Sequence, residues 1–245
     1  MTDPQYLPPD WPAPPSVRSA VTLRAGGVST GDYASFNLAT HVGDDPVAVA
    51  ENRRRLRESL QLPAEPAWLT QVHGVNVVAA RSQDVPPTAD ASVAKAPGQV
   101  CVVMTADCLP VLFCDRAGTR VGAAHAGWRG LVGGVLEQTI GALETPPQNL
   151  LAWLGPAIEQ DAFEVGSEVR DQFMARDAGN AAAFVANARG RWQADLYELA
   201  RRELTRLGVR SIYGGGFNVF ADDERFFSYR RQPKTGRMAT LVWLV

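Results

Sequence analysis

The sequence predicts an α/β (α+β) protein, a single layered domain in which mixed β-sheets are flanked by helices. Apolar runs of strand length alternate along the chain with segments of helical period. No linker, internal repeat or low-complexity boundary divides the 245 residues, and a hydrophobic content of 46% is sufficient for a large core. We therefore predict an extended N-terminal lead-in over residues 1 to 15 and one domain over residues 16 to 245.

The first part of the chain predicts a strand, a long loop and a helix after the proline-rich lead-in. Residues 17 to 24 alternate between apolar and polar side chains, as a half-buried strand does. Residues 25 to 46 are rich in Gly, Ser, Asp and Asn, and a loop of this length inside a compact domain usually carries function. A helix is predicted from Pro46 to Leu60, because Asp44 or Asp45 can cap it and proline fits its first turn.

The middle of the chain predicts several strands. Residues 66 to 80 indicate two strand segments that meet near His73, and residues 98 to 108 form an apolar run that ends at Asp107 and Cys108. Residues 110 to 115 continue as a strand. The chain then turns and returns over residues 118 to 127.

The second half continues the alternation of helix and strand. Residues 128 to 143 predict a helix rich in small residues, and residues 149 to 158 predict a strand and turn. Two more helices are predicted, one over residues 166 to 177 that Ser167 caps and one over residues 193 to 208 that Gly208 ends. Three final segments are predicted to complete a mixed sheet: residues 209 to 220, 225 to 231 and 238 to 245.

Composition excludes several classes of protein. A formal net charge of -2 gives no basic field for nucleic acid or a membrane surface. The N-terminus lacks the cationic and apolar regions of a signal peptide, and no apolar run approaches the ~20 residues of a spanning helix. The three cysteines are an odd number, and Cys101 and Cys114 lie in apolar runs, so no disulfide framework is expected. We expect a cytoplasmic protein.

Two of the three histidines, His73 and His125, bracket Cys108 in the sequence. Imidazole nitrogen and thiolate sulfur are ligands that zinc prefers, and three protein ligands with an open fourth position are typical of a catalytic metal site. Without metal, a thiol beside an imidazole is an activated nucleophile. The residues alone leave both interpretations open.

Several further residues are candidates for contacts with a substrate. Arg129 begins a predicted helix, and its planar guanidinium suits a phosphate or a carboxylate. Arg230 and Arg231 could clamp an anion, although adjacent residues of a strand usually point to opposite faces. We expect His41 and Asp44 to order the long loop and cap its helix rather than to take part in chemistry.

Six blocks of sequence follow one another between about Trp11 and Val245: "FNLATHVGDDP", "WLTQVHGVNVV", "MTADCLPVLF", "AAHAGWRGLVGGVLE", "WLGPAIEQDAFEVGSEV" and "FFSYRRQPKTGRMAT". Together they resemble the YfiH family, also called the polyphenol oxidase or laccase-domain family. The resemblance implies a single α/β domain and a pocket in which His73, Cys108 and His125 bind zinc. It also implies phosphorolysis of adenosine, inosine and methylthioadenosine, deamination of adenosine, copper-dependent phenol oxidation, or removal of misincorporated L-serine from a peptidoglycan precursor.

Chemistry ranks these activities. A laccase needs a trinuclear copper cluster built from many histidines, so three histidines exclude that activity as the native one, and any bound copper is expected to be adventitious. Deamination suits a zinc-bound water but also needs a proton shuttle, for which Asp107 could replace the usual glutamate. Phosphorolysis needs a phosphate site, for which Arg129 is the first candidate, Arg230 and Arg231 follow, and Asn37 is a candidate contact to the sugar or base.

The sequence therefore predicts a cytoplasmic, zinc-dependent purine nucleoside phosphorylase with adenosine deaminase activity, whose partners are purine nucleosides and phosphate. A second hypothesis is an amidase that edits a peptidoglycan precursor, with Cys108 as nucleophile and His125 or His73 as base. A third is a metal or nucleotide sensor. One departure from the family is visible: Asn218 and Val219 stand where its members commonly carry Cys-Thr, which puts any role for a second thiol in doubt.

Overall fold

Two β-sheets packed face to face form the centre of the molecule in the computed structural model, which describes residues 5 to 245. The first sheet has four antiparallel strands in the order β1-β2-β13-β5. Its strands are β1 (Tyr6–Leu7), β2 (Val17–Thr22), β5 (Val100–Thr105) and β13 (Met238–Leu244). The predicted strands at residues 17 to 24, 98 to 108 and 238 to 245 are thereby confirmed. Strand β1 lies within the lead-in, of which residues 1 to 4 are outside the described residues.

The second sheet is mixed and has six strands in the order β12-β8-β6-β7-β4-β3. Its strands are β3 (Val77–Ala79), β4 (Ala91–Ala94), β6 (Leu109–Asp115), β7 (Val121–Ala126), β8 (Leu150–Leu154) and β12 (Ser211–Gly214). The two edge strands run parallel to their neighbours, while the inner pairs are antiparallel. A small third sheet comprises β9 (Glu164–Val165), β10 (Phe184–Ala186) and β11 (Trp192–Ala194).

Helices cover the outer faces of the two large sheets. They are α1 (Pro46–Ser59), α2 (Trp128–Gly133), α3 (Val135–Leu143), α4 (Ser167–Arg176) and α5 (Leu196–Arg206), with 3-10 turns at Gly31–Tyr33, Pro147–Asn149 and Ala178–Ala183. Helix α1 packs on the first sheet through Leu56, and α3 and α5 pack on the second through side chains such as Leu136 and Leu199. The core is therefore layered α/β/β/α, and the predicted α/β architecture is confirmed. Among the described residues, no helix is long and apolar enough to cross a membrane.

The ends of two helices agree with the sequence signals, while two other signals were misread. Asp45 caps α1 by accepting a hydrogen bond from the Val47 N–H at 2.9 Å, and Gly208 follows the end of α5 with φ +92°. The single helix predicted over residues 128 to 143 is wrong, because Gly134 adopts φ +102° and separates α2 from α3. Gly166 rather than Ser167 precedes α4, so the predicted cap is also wrong.

Several strands also differ from the sequence prediction. Only the second of the two segments predicted over residues 66 to 80 is a strand, since the first makes isolated bridges at Ala67 and Thr70. Residues 225 to 231 form turns instead of a strand. The three final segments do not complete one mixed sheet as predicted, because β12 and β13 belong to different sheets. Strand β4 and the small third sheet were not predicted, as their segments are short and lack clear alternation.

Candidate functional site

Antiparallel pairing of β6 and β7 brings together residues that are distant in sequence. The register places Leu109 opposite Ala126 and Pro110 opposite His125. Cys108, which immediately precedes β6, therefore lies beside the end of β7. His73 comes from the loop before β3, on the far side of the neighbouring strand β4. All three candidate ligands therefore lie at or near strand ends beside loops.

The three side chains form one cluster. The Cys108 Sγ lies 3.7 Å from the His73 Nε2, and the rings of His73 and His125 meet edge to face with centroids 4.8 Å apart. All three ligand atoms lie within 4.8 Å of one another. Gly127 makes this approach possible, since a Cβ there would lie 2.9 Å from both the Cys108 Sγ and the His73 Cδ2.

A buried carboxylate, Asp90, connects the two histidines. Its Oδ1 accepts hydrogen bonds from the His125 Nδ1 at 2.8 Å and the His73 N–H at 2.9 Å. Its Oδ2 accepts from the N–H groups of Val72 at 3.1 Å and Gly74 at 2.7 Å. These bonds accompany the left-handed backbone of His73, whose φ is +60°. Sequence analysis missed Asp90.

The cluster is strongly coupled electrostatically. Burial alone would raise the pKa of the Cys108 thiol, but the charge and hydrogen bonds of His125 and His73 outweigh burial and lower it to about 6. Burial would likewise lower the pKa of His125, yet the Cys108 thiolate and the Asp90 carboxylate raise it to about 9. Without metal, the favoured state is therefore a thiolate beside an imidazolium.

The cluster fits a metal ion. Because Asp90 occupies the Nδ1 of His125, the Nε2 of that ring remains as the donor atom. Ligand atoms around a tetrahedral metal lie about 3.5 Å apart, whereas the separations here reach up to 4.8 Å. Side-chain rotations that move the ligand atoms by about 1 Å would therefore bring them to the metal-binding spacing. One thiolate and two imidazoles leave a fourth position for water or substrate.

The cluster lies in the wall of a cavity of about 470 Å³, a size that suits a small molecule. Apolar and aromatic side chains share the wall with about as many polar and charged ones. Its lining residues are His41, Gln71, His73, Met104, Thr105, Ala106, Asp107, Cys108, His125, Trp128, Arg129, Ile158, Phe163, Leu196, Tyr229, Arg230 and Arg237. His41, expected only to order the long loop, thus also reaches the cavity.

Three arginines face the cavity, and each lies over an aromatic ring. The guanidinium of Arg129 is 4.3 Å from the Trp128 ring centroid, that of Arg230 is 5.4 Å from Phe163, and that of Arg237 is 5.8 Å from Tyr229. Within residues 5 to 245, none of the three forms an ion pair with a carboxylate. Asp107 is the one carboxylate among the described lining residues. The cavity therefore favours an anion.

Asp107 is turned toward the segment that carries Arg230. Its carboxylate accepts hydrogen bonds of 2.6 Å from the Ser228 hydroxyl and 2.6 Å from the Arg230 N–H. Its backbone has φ +99°, a left-handed conformation rare for a non-glycine residue. Burial raises the pKa of this carboxyl, although the hydrogen bonds of Ser228 and Arg230 oppose the shift.

Two residues that the sequence suggested as substrate contacts, Asn37 and Arg231, do not line the cavity. Asn37 is fully buried, donates to the Ala39 carbonyl and Asp44, and accepts the Arg237 N–H at 3.0 Å. Arg231 donates to three backbone carbonyls in residues 219 to 226. Neither side chain lines the cavity.

The departure at Asn218 and Val219 also lies outside the cavity lining. The Asn218 amide donates to Glu159 and its oxygen accepts two backbone N–H groups, while Val219 is fully buried.

Arg237 was missed because "PKTGRMAT" reads as a loop before a strand, and nothing in that pattern indicates a cavity.

Comparison with known proteins gives consistent matches along almost the whole chain. Residues 18 to 245 match the family described as Multi-copper polyphenol oxidoreductase laccase. The chain is 58% identical to a purine nucleoside phosphorylase of Pseudomonas aeruginosa, with 98% of each chain covered. It is 52% identical to the purine nucleoside phosphorylase YfiH of Escherichia coli K12, with 98% of this chain and 99% of that protein covered.

Solved structures show the same architecture. A crystal structure of a Neisseria meningitidis protein superimposes with a TM-score of 0.95 at 53% identity, with 98% of each chain covered. The crystal structure of YlmD from Geobacillus stearothermophilus gives a TM-score of 0.89 at 30% identity, covering 98% of this chain and 96% of that one.

Proposed function

The chain belongs to the multi-copper polyphenol oxidoreductase laccase family, also called the YfiH family, and we propose that it is a zinc-dependent purine nucleoside phosphorylase of the cytoplasm. Its proposed substrates are adenosine, inosine and S-methyl-5′-thioadenosine, each with phosphate, and deamination of adenosine is the proposed second reaction. The observation that carries the proposal is the cavity, where three arginines whose guanidinium groups form no ion pair with a described carboxylate lie beside aromatic rings and the His73/Cys108/His125 cluster. The relatives named purine nucleoside phosphorylase support it.

Two demands of phosphorolysis, a site for phosphate and a surface for the purine, have candidate groups in the cavity. Arg129 and Arg230 are proposed to hold the phosphate, since a guanidinium binds phosphate oxygens in pairs. Phosphate oxygen attacks C1′ of the ribose, the C1′–N9 bond breaks with its electron pair going to the purine, and the proton of hydrogen phosphate passes to the base. Aromatic side chains such as Phe163 and Tyr229 offer faces for the purine. Arg231 and Asn37 are proposed to act indirectly, Asn37 by holding Arg237.

His73, Cys108 and His125 are proposed to hold the zinc ion. When bound, zinc supplies Lewis-acid polarisation of a substrate atom. The copper of the family description fits less well, because three histidines cannot form the several copper sites of a laccase.

Chromatography of adenosine incubated with and without phosphate tests the proposal. We expect ribose 1-phosphate only when phosphate is present, in an amount equal to the sum of adenine and hypoxanthine, and inosine in both mixtures. Cys108→Ala should abolish both activities. Cys114→Ala is the matched control, because Cys114 is fully buried in β6 away from the cavity. Equal adenine formation without phosphate, or full turnover by Cys108→Ala, would contradict the proposal.

One observation favours a second function. The Cys108 thiol has a pKa of about 6 and two histidine neighbours, which suits a nucleophile of an amidase that edits a peptidoglycan precursor. Covalent labelling of Cys108 that substrate blocks and a chelator does not would favour this amidase. Multiple turnovers in either assay would exclude a sensor that only binds.

A further inference from the structure

We propose that Asp90 is the positioning residue of the metal site, because a single carboxylate holds both histidine ligands in place. This inference rests on the proposed function only in taking His73, Cys108 and His125 as metal ligands. Asp90 is fully buried at the start of β4, where it faces the end of β7 on one side and the loop before β3 on the other.

Asp90 restrains the backbone that carries His73. Three consecutive backbone N–H groups, those of Val72, His73 and Gly74, converge on the two carboxylate oxygens of Asp90. The left-handed φ of His73 is one that residues other than glycine rarely adopt, so contacts with the surrounding structure are needed to hold it. The carboxylate provides that restraint and aims the His73 ring at Cys108.

Asp90 also restrains His125. Asp90 holds this residue twice, because its carboxylate accepts the Nδ1–H at 2.8 Å and its main-chain carbonyl accepts the His125 N–H at 2.7 Å. The hydrogen bond at Nδ1 leaves Nε2 as the coordinating atom. An amide side chain could not replace the carboxylate, since its NH₂ group would face N–H donors.

Asp115 is another buried aspartate of this fold, and it does not contact the metal site. It ends β6 at the opposite end from Cys108 and is 5% exposed. Its carboxylate accepts hydrogen bonds from the Thr119 N–H and hydroxyl, both at 2.7 Å, and from the Arg120 N–H at 3.0 Å. Asp115→Ala therefore removes a similar set of hydrogen bonds and is the matched control for Asp90→Ala.

The test is the zinc affinity of metal-free protein, measured by competition with a chromophoric chelator. We expect Asp90→Ala to weaken zinc binding about 10- to 100-fold, as loss of a partner of a metal-bound histidine does, and Asp115→Ala to change it less than about twofold. Thermal unfolding without zinc should show that both variants fold and lose similar stability. Equal zinc affinities of the two variants would overturn the proposal.

A measurement on the wild-type protein covers the case in which Asp90→Ala does not fold. In the zinc-loaded protein, ¹⁵N NMR of His125 should show a protonated Nδ1 and a metal-bound Nε2. Metal bound at Nδ1, or no zinc binding by the wild type, would overturn the proposal. These readouts use zinc alone, so a protein that binds zinc through Nε2 yet leaves adenosine unchanged would contradict the phosphorylase and not the role of Asp90.

Discussion

Gly127→Ala should weaken metal binding without disturbing the fold. The backbone at Gly127, with φ −61° and ψ 157°, is one that alanine adopts freely, so the effect on metal binding comes from the contacts of the added methyl group and not from backbone strain. That Cβ would lie 2.9 Å from the Cys108 Sγ and the His73 Cδ2. Ordinary contacts of about 3.5–4.0 Å require these atoms to retreat by about 0.6–1.1 Å.

A displacement of that size is as large as the shift of about 1 Å that the ligand atoms already need to reach tetrahedral spacing, and it exceeds the ~0.5 Å within which metal ligands must be held. We therefore expect the zinc dissociation constant to rise about 10- to 100-fold, which corresponds to about 1.4–2.7 kcal/mol. Loss of the glycine cap of α2 should add about 1 kcal/mol of destabilisation in the metal-free protein. The assay is chelator competition for affinity, with urea unfolding for stability.

Gly141→Ala is the control. Gly141 lies in α3, and a Cβ there would have no atom within 4 Å, so the change should stabilise the helix by about 0.5–1 kcal/mol and leave zinc affinity unchanged. If Gly127→Ala bound zinc as tightly as this control, the methyl group would not meet the ligands. Cys108 and His73 would then not be ligands of the metal.

Three other predictions concern reactivity, substrate binding and stability. In metal-free protein at pH 7, iodoacetamide should modify Cys108 and spare Cys101 and Cys114, because burial raises the pKa of those two thiols to about 12. Mass spectrometry should show that the rate of Cys108 modification falls as the pH drops through about 6, because the reactive thiolate is then protonated. Arg129→Ala should raise the KM for phosphate about tenfold or more and leave the KM for adenosine nearly unchanged, and steady-state kinetics would show otherwise if Arg129 bound the nucleoside. Asn52→Ala should cost about 1–3 kcal/mol in urea unfolding, because the fully buried Asn52 amide makes four hydrogen bonds to the long loop; an unchanged midpoint would contradict this.

The sequence predicted the helices and strands that depend on neighbouring residues, such as a helix cap or a run of apolar side chains. Helix α1 follows from Asp45 and Pro46, and β13 from a continuous apolar run. The break at Gly134 was missed because the apolar pattern continues across it. Residues 225 to 231 read as a strand because of Phe226 and Phe227, which are buried against the core without any partner strand.

The site was predictable only in part for a similar reason. Residue chemistry and the family resemblance identified His73, Cys108 and His125, which the fold brings together. Asp90 and Arg237 act through contacts between segments far apart in the chain, and a single sequence carries no signal for such pairing. An aspartate at the start of a buried strand reads as a turn residue, whereas in the structure it joins both histidines.

We propose that the His73/Cys108/His125 cluster holds the zinc ion needed for phosphorolysis. The most direct test of this claim is metal analysis by mass spectrometry of untagged protein, combined with adenosine turnover after zinc removal and stepwise return. We predict that turnover with phosphate disappears on removal and returns in proportion to added zinc, reaching its maximum at about one ion per chain. Adenine release that persists without metal, or zinc that binds without restoring it, would contradict the claim.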